Sequence, residues 1–248
     1  MKIAVLAPWT DPTGEFIKTF HGLLANEVEM SDIQIVALDE VPEPVLYKTD
    51  MPPTASGLDS LPFCIPEVMK KAKSLEMSGV DAIVNACILG PGSPQAAQVV
   101  DIPVLDPGEV AMHVASMLGR RFSLLVPGKS AVRGFQENVR KYFMEDRLAS
   151  ILLTDISPAS YTVKERETME VLLRLSLKAI EEDDAAVIIL CCGMLTGKGR
   201  ELKKTLKEKG HDVTVIQPVP LSIEFAKVLV TLNLKQVRLV PSDYKHRF

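Results

Sequence analysis

The chain has 248 residues, of which 47% are hydrophobic and 24% are charged, and its net charge is −4. This composition is that of an ordinary globular protein, and its weak, scattered charge argues against a nucleic-acid partner or an anionic membrane surface. The apolar segment after Met1 is too short for a signal peptide, and the sequence has no run of about 18 apolar residues for a membrane span. We therefore expect a cytoplasmic protein with reduced thiols.

Eight short apolar runs, each followed by a segment of helical periodicity, predict alternating strands and helices. Continuous apolar runs are typical of strands covered on both faces, as in a parallel sheet flanked by helices. The sequence thus predicts an α/β fold. A closed eight-stranded barrel is the alternative, although such barrels usually need more residues. The runs are residues 2–8, 32–38, 81–86, 102–105, 122–126, 150–154, 185–190 and 212–216.

An internal repeat favours two units over one barrel. Residues 81–92 are similar to residues 185–197, because each segment is an apolar strand that ends in a cysteine and is followed by small residues. Residues 102–110 and 213–221 both read as strand, proline and helix. The repeat predicts two similar pseudo-symmetric lobes, each a mostly parallel sheet flanked by helices, with the active site in the cleft between them.

The repeat also suggests where the lobes divide. We expect residues 1–101 to form the first lobe, completed by a C-terminal segment from about 213–248, and residues 102–212 to form the second. Residues 39–62 are long, irregular and rich in proline. A loop of this length inside a compact domain is usually either a functional lid or disordered, and both interpretations stay open.

Cys87 and Cys191 are the strongest candidates for chemistry, because both follow a predicted strand at its carboxyl end, where ligands bind in open α/β sheets. A helix N-terminus beside each thiol is expected to lower its pKa towards neutrality. The alternative is that both are buried packing residues, which is common for cysteine. Matching cysteines in a duplicated unit favour catalysis. Cys64 and Cys192 are expected to be packing residues.

The sequence gives weaker signals for a metal site and for a role of the residues that end the first strand. No Cys-x-x-Cys pair or histidine spacing indicates a metal site, so none is predicted. Thr10 follows the first strand at the same sheet edge, where its hydroxyl either contacts substrate or caps the next helix. Trp9 beside it either lines a pocket or packs within the lobe.

Taken together, the two cysteine segments resemble the paired-cysteine motifs of the aspartate/glutamate racemase superfamily, and are most similar to its hydantoin racemase branch. The segments are Asp-Ala-Ile-Val-Asn-Ala-Cys at 81–87 and Val-Ile-Ile-Leu-Cys-Cys-Gly-Met at 187–194. Residues 7–10, 103–122 and 216–225 also resemble segments of that branch. The resemblance covers nearly the whole chain.

The resemblance implies a racemase or epimerase of amino acids, hydantoins or related carbonyl compounds that needs no cofactor, with Cys87 and Cys191 as the acid/base pair. It also implies a small-molecule substrate with a carboxylate or carbonyl, and a homo-oligomer. The implied substrate-binding residues are Pro8, Trp9, Thr10, Ile88, Leu89, Cys192 and Gly193, the last four through nearby backbone N–H groups.

Departures from the family pattern leave alternatives open. Trp9 stands where the family usually has a second polar side chain, Ile88 and Leu89 replace a more open pair, and a threonine expected after the middle strand is missing at 126–127. A cis–trans isomerase or decarboxylase of the same superfamily would use one thiol as a nucleophile. A non-catalytic small-molecule binding protein is the third possibility, because fold does not settle function.

Overall fold

The computed structural model describes residues 1–40 and 61–238. Most of the irregular segment 39–62, namely residues 41–60, lies outside the described residues, so whether it forms a lid stays a prediction. All eight predicted strands are present, and their bounds agree with the prediction to within two residues. The strands are β1 (Ile3–Thr10), β2 (Ile33–Leu38), β3 (Ala82–Asn85), β4 (Val104–Leu105), β5 (Phe122–Val126), β6 (Leu148–Leu153), β7 (Val187–Leu190) and β8 (Thr214–Ile216).

Helices separate the strands throughout the described chain. They are α1 (Glu15–Leu24), α2 (Leu61–Met77), α3 (Ser93–Ala96), α4 (Pro107–Leu118), α5 (Lys129–Lys141), α6 (Glu165–Glu181), α7 (Gly199–Glu208) and α8 (Pro218–Thr231). Short 3₁₀ turns lie at Glu145–Arg147, Pro158–Ser160 and Gly193–Leu195.

The strands form two separate four-stranded parallel sheets rather than a barrel. Their orders are β2-β1-β3-β4 and β6-β5-β7-β8, so each strand of the first sheet has a counterpart at the same place in the second. This confirms the predicted α/β architecture of two similar halves. Parallel neighbours need crossover connections, which the helices supply.

Two strands lie in the opposite sheet to the one that the predicted lobe boundaries imply. β4 pairs with β3 in the first sheet, although the second lobe was expected to begin at residue 102. β8 pairs with β7 in the second sheet, although the first lobe was expected to resume at about residue 213. The chain leaves each sheet only after the edge strand, since α4 packs on β5, β7 and β8 while α8 packs on β3. Each crossing therefore falls at the proline that begins a helix.

One hydrophobic core joins the two sheets. It combines inward-facing residues of both sheets with residues of α4 and α8, and those helices also pack on each other. Separate clusters cover the outer faces, under α2 and α3 on the first sheet and under α6 and α7 on the second. Because both faces of each sheet are covered, the strands are apolar throughout. None of the helices within residues 1–40 and 61–238 is long and apolar enough to cross a membrane.

Candidate active site

The turn after β3 carries Cys87 at the carboxyl end of the first sheet. In this sheet Leu6 of β1 is in register with Asn85 of β3. The next residue, Ala86, donates its N–H to the carbonyl of Leu6 at 2.8 Å. Cys87 is thus the first residue beyond the last hydrogen bond between the two strands.

The register of the second sheet assigns the equivalent place to Cys192. Leu125 of β5 is in register with Leu190 of β7, and Cys191 donates its N–H to the carbonyl of Leu125 at 2.9 Å. Cys191 therefore corresponds to Ala86 of the first sheet, and Cys192 corresponds to Cys87.

Side-chain direction agrees with this register, because successive residues of an extended chain point to opposite faces. Cys191 is 3% exposed and belongs to the core between the sheets, where its Sγ lies 3.6 Å from the carbonyl oxygen of Ile189. Cys192 is half-buried and packs on the other side. The structure thus places the predicted catalytic Cys191 in the core, and the predicted binding residue Cys192 at the position that matches Cys87.

The two cysteine turns lie against each other. A Cβ added to Gly193 would be 2.9 Å from the carbonyl oxygen of Ala86, so the glycine permits a close backbone approach between the lobes. A negative charge on Cys192 raises the pKa of Cys87, which puts the two thiols within electrostatic reach of each other. The turns that carry Cys87 and Cys192, one from each lobe, therefore lie close together at the carboxyl edges of the two sheets.

Burial raises the pKa of both thiols. Desolvation raises the pKa of Cys87 to about 12, against the lowering effect of a hydrogen bond from the Leu89 N–H. Desolvation likewise raises the pKa of Cys192 to about 11, against hydrogen bonds from the Met194 and Leu195 N–H groups. The pKa of Cys191 is also raised by burial.

The expectation of lowered thiol pKa values is therefore wrong, and the helices explain why. The turn after Cys87 leads into α3, which has only four residues, and Cys192 is followed by a single 3₁₀ turn. Such short helices supply one or two N–H groups and little dipole, so desolvation outweighs them.

Asn85 holds the Cys87 turn in place. Its buried side chain accepts the Cys87 N–H at 2.9 Å and donates to the carbonyl of Pro91 and to the Ser93 hydroxyl, both at 3.0 Å. From α5, the side chain of Asn138 donates to the carbonyl of Leu89 at 3.3 Å. These bonds fix the backbone that presents the first thiol.

Comparison with known proteins identifies the family. Residues 33–226 match the model of the Asp/Glu/Hydantoin racemase family, which is most of the chain. The chain belongs to this family. It is 30% identical to a hydantoin racemase of Pseudomonas sp. (strain NS671) over 223 residues, which are 90% of this chain and 84% of the relative.

Solved structures share the racemase-family fold. The allantoin racemase of Pseudomonas fluorescens superimposes with a TM-score of 0.81 at 21% identity, covering 100% of both chains. A glutamate racemase of Bacillus anthracis superimposes with a TM-score of 0.59 at 14% identity, covering 96% of this chain and 85% of that one.

Two buried hydroxyls, those of Thr154 and Tyr161, lie on the Cys192 side, next to the end of β5. Thr154 follows β6, and its N–H donates to the carbonyl of Val126 at 2.9 Å. Its Oγ1 lies 2.6 Å from the hydroxyl of Tyr161. Burial raises the pKa of Tyr161, and charge on Cys192 raises it further, so this pair lies beside the second thiol.

The predicted binding residues of the first turn end β1. Pro8 is buried, while Trp9 and Thr10 are half-buried. The carboxylate of Asp11 accepts N–H groups at the start of α1, including that of Ile17 at 2.9 Å. Asp11, rather than Thr10, therefore caps this helix. Whether Thr10 contacts substrate stays a prediction.

An aromatic row links Trp9 to the second cysteine turn. Trp9 meets Phe16 edge-on with ring centroids 4.9 Å apart, and Phe16 stacks on Phe20 at 5.2 Å. The Phe20 ring lies 3.4 Å from where a Cβ of Gly193 would be. Trp9 therefore packs within a wall that runs from the first lobe towards the second thiol.

The two bulky residues after Cys87 differ in placement. Ile88 is 2% exposed and packs in the shared core, whereas Leu89 is half-buried. Of the two, Leu89 is the one whose N–H reaches the Cys87 thiol. Within the described part of the chain, no group of three or more His, Cys, Asp or Glu residues could hold a metal ion.

The raised pKa values predict slow thiol alkylation at neutral pH. Because both pKa values lie at or above about 11, the iodoacetamide reaction rate of Cys87 and of Cys192 should rise about tenfold per pH unit from pH 7 to pH 10. Peptide mass spectrometry after timed labelling measures each thiol separately. A plateau by pH 8 would show instead that the thiols ionise near neutrality.

Proposed function

We propose that the protein is a cofactor-independent racemase or epimerase that moves a proton at a carbon next to a carbonyl, with Cys87 and Cys192 as the acid/base pair. The main support for this proposal is the register of the two sheets, in which Cys87 follows β3 at the same distance as Cys192 follows β7. General acid–base catalysis at two faces of one carbon needs a group from each side.

The second thiol of this proposal is Cys192 rather than Cys191. The register and side-chain alternation support the change, since Cys191 occupies the place of Ala86 and lies in the core. Cys192 also faces backbone N–H groups of its own turn, as Cys87 does, and such bonds favour a thiolate when it forms.

In the proposed reaction, one cysteine as thiolate removes the α-proton and the C–H electron pair moves into the adjacent carbonyl to give an enolate. The opposite thiol gives its proton to the other face of the carbon as the carbonyl re-forms. The two sulfurs have then exchanged protonation states, and the next turnover can run in reverse. A thiolate with a raised pKa is a stronger base than an ordinary cysteine, which suits a weakly acidic carbon.

We infer that the substrate is an uncharged ring such as a 5-substituted hydantoin or allantoin. The names of the relatives support this class. So does the charge around the thiols: the charged side chain that acts on Cys87 is the carboxylate of Asp106, which would repel a substrate carboxylate, and burial is the main cause of the raised pKa values of Cys87 and Cys192. A zwitterionic amino acid would need a partner for its carboxylate, and burying an unpaired charge is costly.

Two alternatives make different predictions. A decarboxylase or cis–trans isomerase of this fold would need one essential thiol, and a binding protein would need none. The equivalence of Cys87 and Cys192 favours the two-thiol reaction, because a single nucleophile gives no reason for a matching cysteine on the other lobe.

The test follows α-deuterium incorporation in heavy water by NMR, together with loss of optical rotation. Single enantiomers of several 5-substituted hydantoins, allantoin and free amino acids serve as substrates. We expect exchange and racemisation of at least one cyclic ureide by the wild type and by Cys64→Ser, and loss of both with Cys87→Ser. Turnover of none of these compounds would refute the proposal. Racemisation of amino acids alone would overturn the substrate class.

A further inference from the structure

A buried carboxylate on the Cys87 side has a neutral amide as its counterpart on the Cys192 side. Asp106 follows β4 and Gln217 follows β8, and these strands occupy the same edge of their sheets. Each residue directly precedes the proline that begins a helix, α4 or α8. The two positions are thus equivalent in the repeat but differ in charge.

Asp106 lies against the backbone of the Cys87 turn. Gly90 has a φ of 60°, and a Cβ there would overlap the Asp106 carboxylate. The N–H of Gly90 donates to the carbonyl of Cys87 at 3.0 Å, which closes the turn. The carboxylate therefore contacts the turn three residues after the thiol, and its charge acts on Cys87.

Gln217 makes similar contacts without a charge. Its Oε1 accepts the N–H of Gly197 at 2.5 Å, and its side chain lies where a Cβ of Gly199 would be. Its Nε2 donates to Glu27, whose carboxylate is also 3.4 Å from the Arg200 guanidinium. The neighbouring charges on this side are therefore paired with each other.

We propose that Asp106 is a positioning residue that makes the two thiols unequal: its carboxylate holds the proton on Cys87 in the resting enzyme, so that Cys192 begins the reaction as the base. The kinetic part of this inference rests on the proposed racemase function; the electrostatic part does not.

The groups around Asp106 leave its charge in place at neutral pH. Its Oδ1 accepts the N–H groups of Gly108 at 2.9 Å and Glu109 at 3.3 Å, and its Oδ2 accepts the Tyr142 hydroxyl at 2.6 Å. Burial raises the pKa of Asp106 to about 6, so the group is mainly ionised at pH 7 and above.

Other charges near the Cys87 side are weaker or absent at neutral pH. Lys141 donates to the Tyr142 hydroxyl at 3.0 Å, but it is exposed and therefore screened by solvent. The Glu109 carboxylate raises the pKa of Asp106. Burial raises the pKa of Cys64 to about 11, so that thiol is neutral. A like charge within about 4–6 Å shifts a pKa by about 1–3 units and a more distant one by less; a shift of about half a unit to one unit is enough to order two otherwise similar thiols.

The inequality has a consequence for the substrate. If Cys192 ionises more easily than Cys87, the enantiomer whose α-proton points at Cys192 binds the more abundant of the two enzyme forms that carry one thiolate. The other enantiomer binds the rarer of these two forms, and its apparent affinity falls by the lower fraction of that form. The KM values of the two enantiomers should therefore differ, with a compensating difference in kcat.

The test compares iodoacetamide labelling of Cys87 and Cys192 in the wild type and in Asp106→Asn, which keeps the side-chain shape and a capping oxygen. At pH 8 we expect the Cys87 rate to rise about three- to tenfold in the variant while the Cys192 rate stays unchanged. Glu137→Gln removes an exposed α5 carboxylate as a matched control and should change neither rate. Asp106→Ser, with another good capping residue, is the second variant should Asp106→Asn not fold.

An unchanged Cys87 rate, or an equal rise at both thiols, would overturn the inference, since the second result indicates general loosening. With a turnover assay, the ratio of KM values for the two enantiomers should also move three- to tenfold towards one in Asp106→Asn. Because labelling needs no substrate, a selective rise at Cys87 without any racemisation would refute the proposed function and leave the electrostatic role standing.

Discussion

Cys192→Ala is expected to lower the racemisation rate on the order of 10³-fold, whereas Cys191→Ala keeps most of it. The first change removes the proposed acid/base opposite Cys87. The second makes the turn read Ala-Cys, as it does at Ala86-Cys87, and removes a thiol that lies in the core. Polarimetry of a 5-substituted hydantoin, with single-turnover deuterium exchange, measures both variants.

Cys191→Ala and Cys192→Ala are matched variants, because each removes one thiol and the two positions are adjacent in the chain. Thermal unfolding of both proteins serves as the control for folding. The reverse outcome, with Cys191 essential and Cys192 dispensable, would contradict the register argument and support the assignment first expected from the sequence.

Gly90→Ala is expected to destabilise the fold strongly, because two separate costs fall on this position. A Cβ at this position meets a left-handed backbone, which costs about 1–2 kcal/mol, and also overlaps the Asp106 carboxylate, which adds about 1–3 kcal/mol. Urea unfolding measures the loss, and racemisation should fall with it because the turn carries Cys87.

Gly79→Ala is the control that separates the cost of the left-handed backbone from the cost of the overlap with Asp106. Gly79 also has a positive φ, 84°, but a Cβ there has open space within 4 Å. This control should therefore lose only about 1–2 kcal/mol and keep its activity. Equal losses in the two variants would mean that Asp106 does not press on the turn as the structure indicates.

The arrangement of strands was predictable because the local signals were strong. Continuous apolar runs gave all eight strands, and the duplicated cysteine segments correctly favoured two sheets over a barrel.

The lobe boundaries were harder to predict, because nothing local distinguishes the edge strands β4 and β8 from strands that begin a new unit. Their membership depends on long-range pairing with β3 and β7. The prolines at 107 and 218 were visible, but a proline marks the start of a helix without indicating which sheet that helix covers.

The second thiol is the hardest element to read from the sequence, because two cysteines stand side by side. The sequence pairs Cys87 with the first cysteine of Cys-Cys-Gly-Met, whereas the proposal from the strand register pairs it with the second. Counting from the start of the paired strands gives the proposed pair, since Ala82 and Val187 are the first residues of β3 and β7 and lie five residues before Cys87 and Cys192. The raised thiol pKa values and the role of Asp106 depend on burial and on contacts between distant segments, which no local pattern reports.

The position of α8 ties the two lobes into one folding unit. This helix follows the last strand of the second sheet, yet it packs on β3 of the first and on α4. During synthesis, the face of the first sheet that α8 covers therefore stays partly exposed until the second sheet and α8 have been made. A thiol pair that needs both lobes is therefore complete only after α8 has packed on the first sheet.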